Sequence, residues 1–136
     1  MSDPVIRTAG DRVADMITLL NHIVVDVPTT DALPDNYAAD TDGPHIVVEG
    51  DGTPVSSQAH TGQAVRVIVH APTRPDAVRI IDVLDALLQL HSSTGVGIAI
   101  RPGQNPLVDK DSGGHGTHYI ASAGFTVLAP RTKEKI

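Results

Sequence analysis

The chain has 136 residues, no cysteine and a formal net charge of −6. This length fits one domain spanning residues 1–136, and a chain of this size buries roughly two thirds of its unfolded surface without covalent cross-links. The lack of cysteine excludes disulfides, thiolate zinc sites and a cysteine nucleophile. The acidic balance and the aromatic content of 2% argue against a nucleic-acid-binding protein, which needs basic surface and stacking rings.

The charge is unevenly distributed. Residues 1–62 carry ten acids and two bases, a net of −8, whereas residues 63–136 carry six acids and eight bases, a net of +2. This asymmetry suits a protein that binds partners by electrostatic complementarity, although ordinary solvated surface gives the same pattern. No apolar run reaches the length of a membrane span, and the start of the chain lacks the features of a signal peptide. We therefore expect cytoplasmic synthesis and no membrane partner.

The first half of the chain predicts one helix and two strands. Helical spacing of Val13, Ile17 and Leu20 predicts a helix over residues 11–20. The β-branched run 23–27, which ends at Pro28, predicts a strand. Residues 28–44 have loop composition, with Tyr37 as their only aromatic residue and expected anchor. A second strand is predicted over 45–49, ended by the glycines at 50 and 52.

The second half predicts two strands around a helix, and then a long strand. Strict alternation over 63–70 predicts a strand, and apolar positions up to Leu90 predict a well-buried helix that Thr73 and Asp76 begin. A strand over 96–101, a polar loop over 102–118 and a strand over 119–128 follow. From about residue 131, the basic composition predicts a flexible tail.

This order of elements predicts an α+β fold. A mainly antiparallel sheet of about five strands, with two helices packed on one face, fits a sequence of helix, three strands, helix and two strands. The loops are long for a domain of this size, and long loops are usually functional or disordered.

The loop 102–118 contains the residues most suggestive of chemistry. His115 and His118 have a spacing used in metal sites, but a site needs three or four ligands on a rigid element. Asp109 and Asp111 begin a calcium-like loop that lacks the acidic residue at its twelfth position. The alternative that remains is a small enzyme or ligand-binding domain that uses these four side chains.

Other catalytic patterns are missing from the sequence. The glycines after Ser112 are not followed by Lys-Ser or Lys-Thr, and no Gly-x-Ser-x-Gly motif occurs. His22, His45 and His70 lie at predicted strand edges, where a partly buried structural histidine is the simpler interpretation. We therefore expect no enzymatic activity, no cofactor and no metal.

The stretch from Gln63 to Pro130 resembles the tail terminator proteins of siphophages, the long-tailed bacteriophages. The resemblance lies in the order of the predicted strands, helix and loops and in the residue types within them. Chain length and the N-terminal helix also agree with the family. The segments that carry it are a strand (63–70), a turn with Pro72 and Pro75 (71–77), the helix end Ala86–Leu88, the loop 105–113 and the strand 123–128. The loop departs from the family pattern through Lys110 and the glycine-rich run 113–116.

The resemblance implies a structural virion protein rather than an enzyme. Such proteins form a ring, with six subunits expected, that caps the tail tube, ends its polymerisation and connects to the head-side connector. The implied partners are other copies, the tail tube protein and a head–tail stopper or connector protein, at the neck-proximal end of the virion tail. Phage DNA would pass through the lumen without specific binding, and an acidic lumen would favour its sliding.

On this interpretation, the candidates for subunit or partner contacts lie mainly in the loop 102–118. The full set is Asp109, Lys110, Asp111, His115, His118, Tyr37, Arg66 and Arg74. A neighbouring neck component of similar size, such as a head–tail stopper or adaptor, remains an alternative to the tail terminator.

Overall fold

The computed structural model describes the backbone of residues 5–8, 11–56, 60–90, 99–102, 107–111, 118–130 and 132–135. Within these ranges it describes the side chains of residues 11–50, 63–90, 108–110 and 118–127. The elements are β1 (Val5–Thr8), α1 (Arg12–Ile23), β2 (Thr29–Thr30), α2 (Ala39–Asp42), β3 (His45–Ser56), β4 (His60–Ala71), α3 (Arg74–Leu90), β5 (Ala99–Pro102), β6 (Leu107–Asp111), β7 (His118–Pro130) and β8 (Thr132–Lys135).

The main sheet has the strand order β2-β3-β4-β7-β5, and β6 also pairs with β7. All pairings in it are antiparallel except that of β2 with β3. A separate two-stranded sheet joins β1 to β8. The predicted α+β class, with a mainly antiparallel sheet, is confirmed.

Both long helices pack on one face of the main sheet. Helix α1 contacts β2, β3 and β4, whereas α3 contacts β4, β5, β6 and β7. One apolar core joins the two helices to the central strands, with Leu20 and Leu84 fully buried beside Val67 and Phe125. The two predicted helices therefore cover one side of the sheet, as expected, and each lies over a different half of it.

Helix α1 begins as predicted but continues further. Asp11 caps it by accepting a hydrogen bond from the Ala14 N–H at 3.0 Å. The strand expected over 23–27 is wrong, because Ile23 lies in the last turn of α1 and the Val24 N–H still donates to the Leu20 carbonyl. The apolar spacing from Met16 through Leu20 to Ile23 is helical, and this periodicity outweighs β-branched propensity.

Helix α3 is confirmed, with one error in its buried face. The Asp76 N–H donates to the Thr73 hydroxyl at 3.3 Å, as the predicted cap requires. Ala77, Ile80, Ile81, Leu84 and Leu88 are buried. Leu90 was expected on this face but is exposed. It lies on the opposite side of the helix from Ile81, nine residues or two and a half turns away.

The central strands are longer than the sequence predicted. Strand β3 does not end at the glycines but continues to Ser56, with register shifts between Gly50 and Gly52 and between Gly52 and Val55. A glycine tolerates the irregular backbone of a bulge, so the strand bends there instead of ending. The strands over 63–70 and 119–128 are confirmed as the central parts of β4 and β7.

Residues 28–44, predicted to be a loop, contain β2 and α2, and two further segments predicted to lack regular structure also contain strands. Residues 107–111 of the supposed loop form β6, because they pair with 118–122 of β7. Thr132–Lys135 of the supposed flexible tail form β8 and pair with β1. Neither segment shows a long apolar alternation, and pairing with an existing strand supplies the missing stability. Strand β5 confirms the second half of the strand expected over 96–101, and residues 96–98 lie outside the described residues.

Candidate functional site on the second face of the sheet

The face of the sheet opposite α1 and α3, called the second face here, carries Tyr37, Arg66 and His118 among the eight sequence-predicted candidates. Successive residues of a strand point to opposite sides, so His45, Arg66, Ile68 and His70 lie on this face while Val65, Val67 and Val69 lie against the helices. In the same way, the register of β7 with β4 places His118 and Ile120 on the second face.

Three histidines meet at one end of this face. Antiparallel pairing places His45 of β3 directly opposite His70 of β4. His118 of β7 lies diagonally across, and its Nε2 is 2.8 Å from Nδ1 of His70, so the two imidazoles share a hydrogen bond. Their ring centroids are 5.1 Å apart. One ring must be neutral at the shared contact, because an imidazolium has no acceptor nitrogen.

Tyr37 covers the three imidazoles. Its ring centroid lies 5.8 Å from that of His45, 6.2 Å from His70 and 6.1 Å from His118, each time edge to face. This geometry is the favoured one for aromatic pairs. Only 4% of the Tyr37 surface and 1% of the His118 surface is exposed. Both residues were candidates for partner contacts, and their burial removes them from the subunit surface.

A compact segment, residues 34–43, holds Tyr37 in place and is called the covering segment. The Tyr37 hydroxyl donates to the Gly43 carbonyl at 2.6 Å, and the Ala38 N–H donates to Asp42 Oδ2 at 2.9 Å. Gly43 has φ +77°, in the region that favours glycine, so the chain turns there into β3. Burial, and secondarily the charge of Asp42, raise the pKa of Tyr37 to about 12.

His45 is anchored separately, at the junction of β2 and β3. The single hydrogen of the Thr30 hydroxyl is directed to the Ala32 carbonyl at 2.7 Å. The Thr30 oxygen therefore accepts from His45 Nε2, which lies 2.7 Å away. Burial lowers the pKa of His45, because the charged ring loses hydration. The geometry and this shift both favour a neutral ring protonated at Nε2.

The rest of the second face is only partly covered. Arg66, Ile68, Ile120 and Ser122 are half-buried there, and Arg66 lies directly opposite the exposed Glu49. Of these residue types, arginine is enriched in protein–protein interfaces, whereas glutamate is depleted there. This part of the second face lies beside the covering segment and extends across the three central strands.

The remaining candidates lie at the sheet edge and beside the helices. Asp109 and Lys110 are exposed on β6, where the Lys110 N–H donates to the Asp109 carboxylate at 2.7 Å. Asp111 pairs with His118 in the register, and its side chain lies outside the described residues, as does all of His115. Arg74 is exposed at the first position of α3. The structure therefore brings Tyr37 and His118 together and leaves Lys110 and Arg74 elsewhere.

Sequence reasoning missed the histidine cluster because it treated His45 and His70 as separate residues. A signal was available. The segments His-Ile-Val-Val-Glu (45–49) and Arg-Val-Ile-Val-His (66–70) are complementary when paired antiparallel, with histidine facing histidine and arginine facing glutamate. Recognition of this pattern would have fixed the register of β3 with β4.

Among the described residues, no group of three or more His, Asp or Glu side chains is placed to hold a metal ion. Nor does any helix within the described ranges have the length and apolar character needed to cross a bilayer. No model of a known protein family matches the chain, and no curated protein sequence matches it.

Proposed function

We propose that this chain is a virion assembly protein of the siphophage tail terminator type. In this role, copies of the chain form a ring, with six subunits expected, on the end of a completed tail tube. The ring ends tube polymerisation and presents a surface to the head-side connector. The chain performs no catalysis in this role and needs no cofactor, and phage DNA passes through the ring without specific binding.

The observation that carries the proposal is the architecture of the described residues between Gln63 and Pro130. The segment that resembles tail terminators contains β4, α3, β5, β6 and β7 in that order. These elements form an antiparallel sheet with a helix packed on one face, which is the fold that the resemblance implies. The order of elements in this segment resembles that of tail terminators, and its fold is the one that the resemblance implies. Both observations therefore support a tail terminator role.

The second face supplies a surface for the proposed contacts. Arg66, Ile68 and Ile120 are half-buried in the isolated subunit, so each retains area that a partner can bury. Arginine is enriched in protein interfaces, and aliphatic side chains at the centre of a contact exclude water. We assign this surface to the contact with the tail tube.

Electron microscopy of the protein mixed with tail tubes tests the proposal. We expect binding at one end of each tube and a fixed tube length. Light scattering after gel filtration should detect a ring of six 14.2-kDa subunits, about 85 kDa, either alone or after incubation with tubes. A chain that stays monomeric and leaves tube ends uncapped would contradict the proposal, and binding to the connector alone would favour a head–tail stopper.

A charge reversal on the second face tests the assigned surface. Arg66→Glu should abolish capping of tubes, whereas Thr18→Glu, at an exposed position of α1 on the helix side, should leave capping unchanged. Urea denaturation of both variants separates lost binding from lost folding. Equal capping by the two variants would remove the second face from the contact.

A further inference from the structure

The hydrogen bond inside the histidine cluster limits how many protons the cluster can hold. His70 Nδ1 and His118 Nε2 lie 2.8 Å apart, so one of these nitrogens donates and the other accepts. One added proton keeps this hydrogen bond and strengthens it, because a charged donor then faces a neutral acceptor. A second proton removes the acceptor and leaves two charged rings whose centroids are 5.1 Å apart. The intact pair therefore holds one proton fewer than the two rings can bind when they are separated.

His45 adds a third ring to the same limit. It lies directly opposite His70 in the register of β3 with β4. Burial lowers the pKa of His45, and the Thr30 hydroxyl oxygen accepts from its Nε2 in the neutral ring. A charge on His45 would lie beside a charge on His70 in a site with little water, so the covered cluster resists this proton as well.

The ionisable groups around the cluster are mainly acidic. Asp42 of the covering segment acts on Tyr37 through its charge, and Asp111 of β6 is the register partner of His118. The other charged residues of the covering segment and of the adjoining strands on this face are Asp35, Asp40, Glu49, Arg66 and Asp109. The acids favour the first proton, but they cannot supply an acceptor within the 2.8 Å contact between the two rings. Acid therefore brings protons to a cluster that has room for only one.

The covering segment can move away from the sheet as one unit. Several of its hydrogen bonds join only its own residues, among them Tyr37 hydroxyl to Gly43 carbonyl at 2.6 Å, Tyr37 N–H to Pro34 carbonyl at 3.0 Å and Gly43 N–H to Ala39 carbonyl at 2.9 Å. These bonds persist when the segment moves. The Tyr37 ring, in contrast, contacts all three imidazoles, so a change within the cluster acts directly on the segment. Gly43, with φ +77°, lies at its end and can serve as a hinge.

We propose that mildly acidic solution opens the covering segment, because a second proton on the His70–His118 pair breaks their hydrogen bond and displaces Tyr37. The helix-side core stays intact, since it depends on apolar contact. The open form binds at least one proton more than the closed form, so its population rises as the pH falls. For an ordinary imidazole pKa of about 6.5, one additional proton raises the ratio of open to closed molecules about tenfold between pH 7.5 and pH 5.5. This inference goes beyond the proposed function and does not assume assembly.

Buried cysteines introduced one at a time test the opening, because the chain contains none of its own. Ala39→Cys places a thiol in the covering segment, where Ala39 is 3% exposed. Ala77→Cys is the matched control, since Ala77 is fully buried on α3 in the helix-side core. Each variant reacts with 4,4′-dithiodipyridine at pH 7.5 and pH 5.5, and its rate is divided by that of a short cysteine peptide to correct for thiol ionisation. We expect the corrected rate to rise about tenfold for Ala39→Cys and less than twofold for Ala77→Cys.

Removal of one titrating ring tests the cause of the opening. In the Ala39→Cys background, His118→Gln retains an amide that can donate to or accept from His70 Nδ1 but does not titrate, so most of the rise should disappear. His70→Asn is the corresponding change on β4 and replaces it if urea denaturation at pH 7.5 shows that His118→Gln is unfolded. Equal rises at positions 39 and 77 would indicate global acid unfolding and overturn the inference. No rise at position 39, or an undiminished rise in a folded histidine variant, would overturn it too.

Discussion

The two faces of the central sheet are covered by different chemistry. Val65, Val67 and Val69, on the helix side, are fully buried against α1 and α3 by apolar contact alone. On the second face, Tyr37 of the covering segment lies over three imidazoles, and hydrogen bonds hold both the tyrosine and the imidazoles in place. The helix side needs apolar side chains of the right volume at regular spacing, whereas the second face needs individual hydrogen-bond donors and acceptors in fixed places.

This difference determines how each face responds to change. An apolar core loses free energy in proportion to the volume removed, and neighbouring side chains relax only in part. A buried polar cluster loses little volume when one atom is removed, but the partner atom then lacks its hydrogen bond. Core substitutions should therefore unfold the chain, while second-face substitutions should act locally and change with pH.

The largest effect is expected from Phe125→Ala. Phe125 is 2% exposed in the helix-side core, and truncation of a buried phenylalanine costs about 3–5 kcal/mol. Urea denaturation should show this loss in the free energy of unfolding. Val83→Ala, on an exposed side of α3, is the control and should change stability by less than about 0.5 kcal/mol. A comparable loss in both variants would contradict the assignment of the core.

A smaller effect is expected from Tyr37→Phe. The variant keeps the ring over the imidazoles but removes the hydrogen bond to the Gly43 carbonyl, at a cost of about 1–2 kcal/mol. Because folding raises the pKa of Tyr37 from 10 to about 12, its contribution is complete below pH 10 and is lost as the pH rises toward 12. Denaturation at pH 8 and pH 11 measures both effects. The variant should lose less stability than wild type between these values, and parallel losses would contradict the assignment.

Sequence periodicity predicted the helix-side face well. The alternation over 63–70 and the helical spacing of Ile81, Leu84 and Leu88 give the direction of each side chain without knowledge of its neighbours. Errors arose where partners decide the outcome. Residues 107–111 form a strand only because β7 is available for pairing, and Ile23 joins α1 because the helix continues to bury its apolar side.

The histidine cluster was harder to predict because it combines residues distant in sequence. His70 and His118 are 48 positions apart in the sequence. The register of β4 with β7 brings His70 Nδ1 within 2.8 Å of His118 Nε2. Tyr37 was recognised as an anchor, but the composition of residues 28–44 does not indicate which face of the sheet they cover. Local patterns therefore predicted the elements, and the site needed the pairings between them.

The smallest effect is expected from His45→Gln, which should change how stability depends on pH below 6.5. Burial lowers the pKa of His45 from 6.5, so below pH 6.5 the unfolded chain binds a proton that the folded chain resists. The contribution of the neutral ring is present above pH 6.5 and is lost as the pH falls. His45→Gln retains an N–H that can reach Thr30 but does not titrate. Denaturation at pH 7.5 and pH 5.5 should show a smaller loss for this variant than for wild type. Equal losses of unfolding free energy in the two proteins would mean that folding leaves the pKa of His45 unchanged, which would contradict the prediction.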